Sequence, residues 1–350
     1  MKPARAVMRM LGRDTSPLVI AEMSGNHNLS LDRALQIVDA AARAGAHAIK
    51  LQTYTADTMT LDLQTGDFLI SDPSNPFAGQ SLYTLYQKAS TPWEWHEPIF
   101  QRARELGLIA FSSPFDETAV EFLESLGAPC YKVASFEIVD LPLIRRIAAT
   151  GKPMFISTGM ASIAEIDDAV RAAREAGCAE IVLLKCTSNY PAAPEDAHLA
   201  TIPHMREAFG CDVGLSDHTL GIGVAVAAVA LGATVIEKHL TLARADGGVD
   251  ATFSLEPHEL AALVVEAEAA WHSIGCVAYG PTDTETGAAA RRRSLYLSAD
   301  IDVGDVLTRD NVRAIRPGKG LPPKHLNTLL GMTATRAAQR GTPVTWDLVK

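Results

Sequence analysis

Positive charge is in short supply. The chain sets 31 Lys and Arg against 41 Asp and Glu, a formal net charge of −10. Proteins that hold nucleic acid draw affinity from cations that displace counterions, so no nucleic-acid partner is expected. Long apolar runs are missing too. None approaches the roughly 18 residues that span a bilayer, so no membrane partner is expected. Residues Met1 to Arg13 lack an apolar core long enough for a signal peptide. Cysteine is sparse and odd in number: Cys130, Cys178, Cys186, Cys211 and Cys276, with no C-x-x-C pair. That usage reads as buried free thiols in a reducing compartment, which predicts a cytoplasmic protein. No G-x-G-x-x-G follows the first strand-like run, which weakens dinucleotide binding. An anionic small substrate stays open, because a few lysines can be focused on one site.

What the chain does have is a strand–helix–strand stretch from Val213 to Leu240. Val213-Gly214-Leu215-Ser216-Asp217-His218 precedes a small-residue helix, and Thr234-Val235-Ile236-Glu237-Lys238-His239 follows it. In a parallel α/β unit the two strands end side by side. His218 and His239 would then lie within reach of one divalent ion, with Asp217 and Glu237 beside them. The plainer alternative is two ordinary histidines at a loop mouth.

The same unit recurs along the chain. Apolar runs at 18–22, 46–52, 108–113, 130–135, 153–158 and 180–186 precede that stretch. Helical spacing separates them, as in 31–44, where Leu31, Leu35 and Val38 share a face. Hydrophobic residues make up 47% of the chain, enough for a sizeable core. Eight strands, each followed by a helix, predict an α/β fold closed as a (β/α)₈ TIM barrel. An open doubly wound sheet is the competitor. Two insertions, 53–90 and 188–198, fall on the loop face where such barrels place lids and substrate walls. After Gly275 the texture turns to Gly, Pro, Thr and Asp. The expected organisation is a barrel over 1–279, a linker over 280–290, and a small, turn-rich, mostly β domain over 291–350.

In a barrel all strand ends meet at one mouth. Here they carry Glu22, Lys50, Gln52, Ser112, Ser113, Lys132, Ser135, Ser157, Thr158, Lys185, Thr187, Ser216, His218, Glu237 and His239. Buried ammonium groups are costly without partners. Several of them beside several hydroxyls suit a phosphate or carboxylate. With a metal, and with free carboxylates such as Glu22 and Glu137, the mouth suits carbon–carbon bond formation or phosphoryl displacement.

Six stretches in order resemble the sialic acid synthase family. They are Ile20-Ala21-Glu22 with Asn26-His27-Asn28, Lys50-Leu51-Gln52-Thr53, Tyr131-Lys132-Val133-Ala134-Ser135, Ile156-Ser157-Thr158-Gly159-Met160, Gly214-Leu215-Ser216-Asp217-His218 and Glu237-Lys238-His239. Such enzymes condense phosphoenolpyruvate with an amino sugar to a nine-carbon ulosonic acid. The resemblance implies that Lys50, Lys132, Ser135, Ser157 and Ser216 hold phosphoenolpyruvate. It further implies that His218 and His239 bind Mn²⁺, Mg²⁺ or Co²⁺, and that Glu22 or Glu137 handles the attacking water. Gln52, Tyr190 and Asp250 would contact the sugar, and Ser113, Ser188 and Glu237 complete the substrate-binding set. The tail resembles the family's antifreeze-like (SAF) domain. That implies a domain-swapped homodimer in which Arg316, with Arg292 and Arg293 as rivals, caps the other copy's site.

Asp246-Gly247-Gly248-Val249-Asp250 replaces a Pro-Gly-Pro-Asp-His stretch, and Phe136 stands where many sialate synthases have glycine. With 53–58 and 91–96 these features resemble the branch that uses 2,4-diacetamido-2,4,6-trideoxy-altrose. Phe136 and the 53–90 loop would then shape the pocket around a 6-deoxy carbon. The alternatives are the N-acetylneuraminate and legionaminate branches, or a non-catalytic sugar-binding barrel. Leu29 departs from the family's glycine after Asn-His-Asn, which predicts a differently shaped loop there.

Overall fold

The computed structural model describes residues 12, 14–71 and 77–350. The signal-peptide reading of Met1 to Arg13 therefore falls outside the described residues apart from Gly12, and the long insertion is described on either side of 72–76. Two compact units make up the chain, Met1–Gly275 and Cys276–Lys350.

In the first unit eight parallel strands close into a barrel in sequence order. They are β1 (Leu18–Glu22), β2 (Ala48–Thr53), β3 (Ile109–Pro114), β4 (Tyr131–Val133), β5 (Met154–Ser157), β6 (Ile181–Cys186), β7 (Asp212–Asp217) and β8 (Val235–His239). The open doubly wound sheet is excluded, because β1 pairs with both β2 and β8. The strands are short apolar runs buried on both faces, as parallel sheets require. Their helices start at sequence-legible caps. Ser30, Asp116, Asp140 and Ser162 each accept a backbone N–H from three residues ahead, which stabilises each helix start by about 1 kcal/mol.

Alternation divides each strand into two faces. Val19, Ala21, Ile49, Leu51, Ile156 and Ile236 join the layer between strands and helices. Leu18, Ile20, Ala48, Phe111, Phe155, Leu184 and Val235 fill the barrel interior. Inward positions are thus apolar at the bottom of the barrel and turn polar at its mouth: Ile20 gives way to Glu22, Ala48 to Lys50, Phe155 to Ser157, Val235 to Glu237. Gly214 is needed in this interior. A Cβ there would stand 2.4 Å from Val235 O and 2.8 Å from Leu184 Cδ2.

On the helix Leu31–Arg43 the face holding Leu31, Leu35 and Val38 does meet the core: Val38 is fully buried with Ala34, Ile37, Ala40 and Ala41, and Leu31 and Leu35 pack half-buried against that cluster. Small alanines let the helix sit close to the strands, and a search for large apolar residues passes over them. The 53–90 insertion is not plain loop, since it folds helices Ala56–Met59 and Leu82–Ala89, capped by Thr55 and Ser81. Four cysteines are buried free thiols, but Cys276 is exposed.

The second unit is turn-rich. Strands β9 (Ser294–Leu297) and β10 (Val312–Ile315) pair antiparallel, and single bridges such as Tyr296 to Pro343 extend the pairing. Leu295, Leu297, Ile301, Leu307, Val312, Leu329, Val344 and Leu348 form its own core. Among the described residues no helix is long and apolar enough to cross a membrane.

Candidate active site

Strand register decides which mouth residues meet. Glu22 is the Cα partner of Lys50 on one side and of His239 on the other. Gln52 pairs with Ser113, and Ser216 with both Cys186 and Glu237. The side chains follow. Lys50 Nζ lies 2.8 Å from Glu22 Oε2 and 3.6 Å from Glu237 Oε1. It also donates to Ser113 Oγ at 3.3 Å. Gln52 Nε2 donates to Glu22 Oε1 at 3.1 Å, and Ser216 Oγ donates to Glu237 Oε1 at 3.2 Å. Lys132 is buried and donates to its neighbour Val133 O at 3.1 Å.

Counting strand-end lysines alone misses their counter-charges. Two carboxylates and two ammonium groups share this floor. Burial lowers the proton affinity of Lys50, but Glu22 and Glu237 outweigh it and keep the ammonium charged. Burial lowers Lys132 below the ordinary lysine range, with Glu237 pulling the other way. Burial also pushes Glu22 up to about 7, against the pull of Lys50. Glu237 is pushed up by burial too, yet Lys50, Lys132 and His218 hold it below the usual carboxylate range. Its Oε2 has no hydrogen-bond partner.

The two histidines do meet. Their ring centroids are 5.3 Å apart, and Phe253 packs edge-on against both. Tyr190 covers His218 at 4.4 Å between centroids. His218 Nδ1 sits 2.8 Å from Thr187 O, a geometry that assigns its proton there and leaves Nε2 free. His239 Nδ1 has no hydrogen-bond partner, and Asp250 Oδ2 lies 3.7 Å away. Burial, reinforced by His218 and Lys50, keeps His239 neutral and so a nitrogen donor. Among the described residues no group of three or more His, Cys, Asp and Glu is arranged to hold a metal. What is present fits an ion that takes two imidazole nitrogens and completes its shell with substrate and water.

Lys50, Lys132, Ser216, His218, Glu237 and His239 border one cavity of about 450 Å³ at the carboxyl ends of the strands. Gln52, Ser135, Ser157, Tyr190 and Asp250 reach it as well. Glu137 borders it and Glu22 does not. Glu137 Oε2 is buried without a partner, and burial raises its pKa. Phe136 is 60% exposed at the rim. Ser188 stands beside Ser135: a Cβ at Gly159 would approach both hydroxyl oxygens, at 2.7 and 2.8 Å respectively. Arg316, Arg292 and Arg293 are exposed residues of the second unit. A larger cavity, about 630 Å³, lies at the opposite end of the barrel beside Thr234 and Trp271, and holds none of the strand-end lysines, glutamates or histidines.

The model of the NeuB family matches residues 37–279, more than half of the chain, and that of the SAF domain matches 292–350. The chain belongs to the NeuB family. This NeuB chain is 41% identical over 335 residues to the pseudaminic acid synthase of Helicobacter pylori, covering 95% of this chain and 97% of that protein. It is 42% identical over 331 residues to the pseudaminic acid synthase of Campylobacter jejuni, covering 94% and 95%. Among solved structures it is similar to an N-acetylneuraminic acid (sialic acid) synthetase from Leptospira borgpetersenii in complex with citrate. That likeness has a TM-score of 0.71 and 30% identity, over 79% of this chain and 92% of that one.

Sequence reading passed over three features of the NeuB site. Tyr54, Met59, Leu85, Tyr86 and Phe115 add an apolar wall to the cavity. The insertion's place on the loop face predicts a wall, but the helix Leu82–Ala89 within it chooses which residues turn inward. Cys186 Sγ sits 3.3 Å from Ser135 Oγ and 3.9 Å from His218 Nδ1. Burial raises that thiol, yet His218 brings it down to about 7. The register of β6 with β7 carries the signal, which sequence spacing does not show. The third is the Asp217–Lys238 ion pair.

Proposed function

We propose that this NeuB chain condenses phosphoenolpyruvate with 2,4-diacetamido-2,4,6-trideoxy-altrose to a nine-carbon ulosonic acid and phosphate. One observation carries the reading. The lysines, hydroxyls, histidines and carboxylates quoted from separate motifs converge on one cavity. The identity to two proteins named as pseudaminic acid synthases supports the choice of sugar.

Lys132, Ser135, Ser157 and Ser216 bind the phosphate and carboxylate of phosphoenolpyruvate, with Lys50 held in place between Glu22 and Glu237. Ser113 accepts from Lys50 and helps hold it, and Ser188, whose Oγ is buried without a partner, is a further substrate-binding hydroxyl. His218 and His239 hold a divalent ion, Mn²⁺, Mg²⁺ or Co²⁺. When bound, that ion supplies Lewis-acid polarisation of the sugar aldehyde. The methylene carbon of phosphoenolpyruvate forms the new bond to the aldehyde carbon, the carbonyl π electrons move to the aldehyde oxygen, and that oxygen takes a proton from solvent. The positive charge left on the enol carbon is met by water, whose proton passes to a carboxylate. Glu137 suits that step because it borders the cavity with a free oxygen and a raised pKa. Glu22 is taken up by Lys50 and Gln52. The resulting intermediate expels phosphate by carbon–oxygen cleavage. Gln52, Tyr190 and Asp250 orient the sugar, with Phe136 at the rim.

The barrel, residues 1–279, holds the chemistry in this reading. The SAF domain, 291–350, lends Arg316 to a second copy in a swapped homodimer. Both substrates are soluble metabolites, and we place the enzyme in the cytoplasm. The test is phosphate release from phosphoenolpyruvate with Mn²⁺ and, in parallel, the altrose sugar, N-acetylmannosamine and the legionaminate precursor. Release with the altrose sugar alone is expected. Release with another sugar keeps the chemistry and overturns the branch. No release with any of them overturns the reaction. Removal of 281–350 tests the cap, since a fully active truncated barrel would refute it.

A further inference from the structure

The cavity has two chemically distinct ends. Lys50, Lys132, Glu237 and the two histidines make one. The other is apolar and comes largely from the 53–90 insertion. Met59 ends the helix Ala56–Met59, and Leu85 and Tyr86 sit on Leu82–Ala89. The insertion carries Asp57, Asp62, Asp67 and Lys88, and none of them borders the cavity. Among its described residues Tyr54, Met59, Phe77, Leu85, Tyr86 and Ala89 line the site, while Leu61 and Leu63 are exposed away from it. The wall is also braced. Tyr54 is buried, with its ring edge-on to Tyr86 at 5.9 Å and to Phe115 at 5.2 Å. From the other side Val249 borders the cavity beside Gly25, where a Cβ would come within 2.3 Å of Val249 Cγ2 and 3.3 Å of Ala89 Cα.

A helix as short as Leu82–Ala89, with none of its residues fully buried, gains little from the core of the barrel. Its apolar face is left to something that enters the cavity. We infer that Met59, Leu85 and Val249 form a subsite for the methyl at C6 of a 6-deoxy hexose, and so decide between 6-deoxy and 6-hydroxy sugars. The inference rests on the condensation reading above. That reading puts the aldehyde carbon at the histidine end, and C6 is the carbon farthest from it along the hexose chain. A hydroxyl at C6 would lose its water against these three side chains and find no donor or acceptor among them. Apolar walls reject an added hydroxyl only moderately, by about 10- to 100-fold.

The test compares kcat/KM for 2,4-diacetamido-2,4,6-trideoxy-altrose with that for its 6-hydroxy counterpart, phosphoenolpyruvate being saturating. The wild type should favour the 6-deoxy sugar by about 10- to 100-fold. Met59→Gln and Leu85→Asn, on separate helices, should each cut that ratio by roughly tenfold, through slower use of the 6-deoxy sugar, and leave the KM for phosphoenolpyruvate unchanged. Equal use of both sugars by the wild type overturns the subsite and leaves the reaction standing. So does a ratio that neither substitution moves. A preference abolished by Tyr86→Phe alone assigns the discrimination to a hydrogen bond and likewise overturns it. No phosphate release with any sugar overturns the condensation reading, and this subsite with it.

Discussion

Lys238 Nζ lies 3.0 Å from Asp217 Oδ2, and both side chains are buried in the wall between β7 and β8. The two residues are Cα partners in the sheet. Alternation turns them away from the lumen, while their neighbours His218, Glu237 and His239 face it. Asp217 Oδ1 also accepts the Thr219 N–H at 2.9 Å, and Lys238 donates to Thr219 O. The pair thus ties together the two strand ends that carry the histidines.

Breaking one half of this pair should cost more than removing both. Lys238→Met leaves the Asp217 carboxylate buried and unpaired, a loss of about 3–5 kcal/mol by the usual cost of a broken buried pair. Asp217→Asn with Lys238→Met should recover part of that loss. Urea denaturation of the two single variants and the double variant measures the coupling. Strictly additive losses would show that the two groups do not work as a unit.

Gly159 lies against Ser135 and Ser188. Its φ is +40°, and a Cβ would stand 2.5 Å from Ser135 Cβ. Gly159→Ala should displace Ser135 and lower kcat/KM by about 100-fold, the effect of a misplacement near 1 Å. The circular dichroism spectrum should stay that of the wild type. Unchanged kinetics would separate Ser135 from phosphoenolpyruvate binding.

Much of this arrangement was legible in the sequence, for a physical reason. A parallel barrel writes each strand as a continuous apolar run, and its mouth as the polar residues ending that run. Glu22, Lys50, Lys132, His218 and His239 could therefore be picked out and expected to converge. Contacts set by register across strands were not legible. Nothing in spacing says that Cys186 lies beside His218, or that Glu237 on β8 reaches past β1 to Lys50 on β2. The helix Leu82–Ala89 was hidden for another reason: eight residues between polar stretches show too little periodicity to stand out.

Leu29 illustrates a substitution absorbed as strain. Asn28 and Leu29 have φ of +49° and +53°, so the loop keeps the left-handed backbone that glycine favours, and the differently shaped loop expected from Leu29 is not seen at these torsions. Asn28 Nδ2 still donates to Gly247 O at 3.2 Å. Because Leu29 is 53% exposed, its side chain contributes little burial in return. Leu29→Gly should raise stability by about 0.5–1 kcal/mol, the strain relieved less the added freedom of the unfolded chain. The denaturant midpoint should move up. A downward shift would mean that Leu29 packs usefully after all.

Two buried histidines should make stability fall in mild acid. Burial lowers His27 and His96 from 6.5 to about 4, and each ring nitrogen Nε2 meets a threonine hydroxyl, Thr91 at 3.2 Å and Thr53 at 2.8 Å. The unfolded chain then binds more protons than the folded one below pH 6.5. Their contribution is complete above about pH 6.5, declines as pH falls, and levels off near 4. It amounts to about 3 kcal/mol for each group at most. Urea midpoints between pH 7 and 4.5 should trace this decline, and His96→Gln should make it shallower while His27 keeps its share. An equal slope in that variant would assign the acid sensitivity to other groups.

Removal of the divalent ion should stop turnover without unfolding the barrel. The strands that carry His218 and His239 are held by the Asp217–Lys238 pair and by Phe253, so their positions do not depend on an ion. His239→Ala removes a neutral imidazole that makes no hydrogen bond through Nδ1 within the protein. Its loss should therefore cost the fold little. It should weaken Mn²⁺ binding measured by calorimetry and lower kcat by at least about 100-fold, the scale of a lost Lewis acid. EDTA should reproduce that loss in the wild type, and added Mn²⁺ should reverse it there but not in His239→Ala. Turnover that survives both the chelator and the substitution would take the ion away from these two histidines and leave Lys50, Lys132 and Glu137 to carry the reaction.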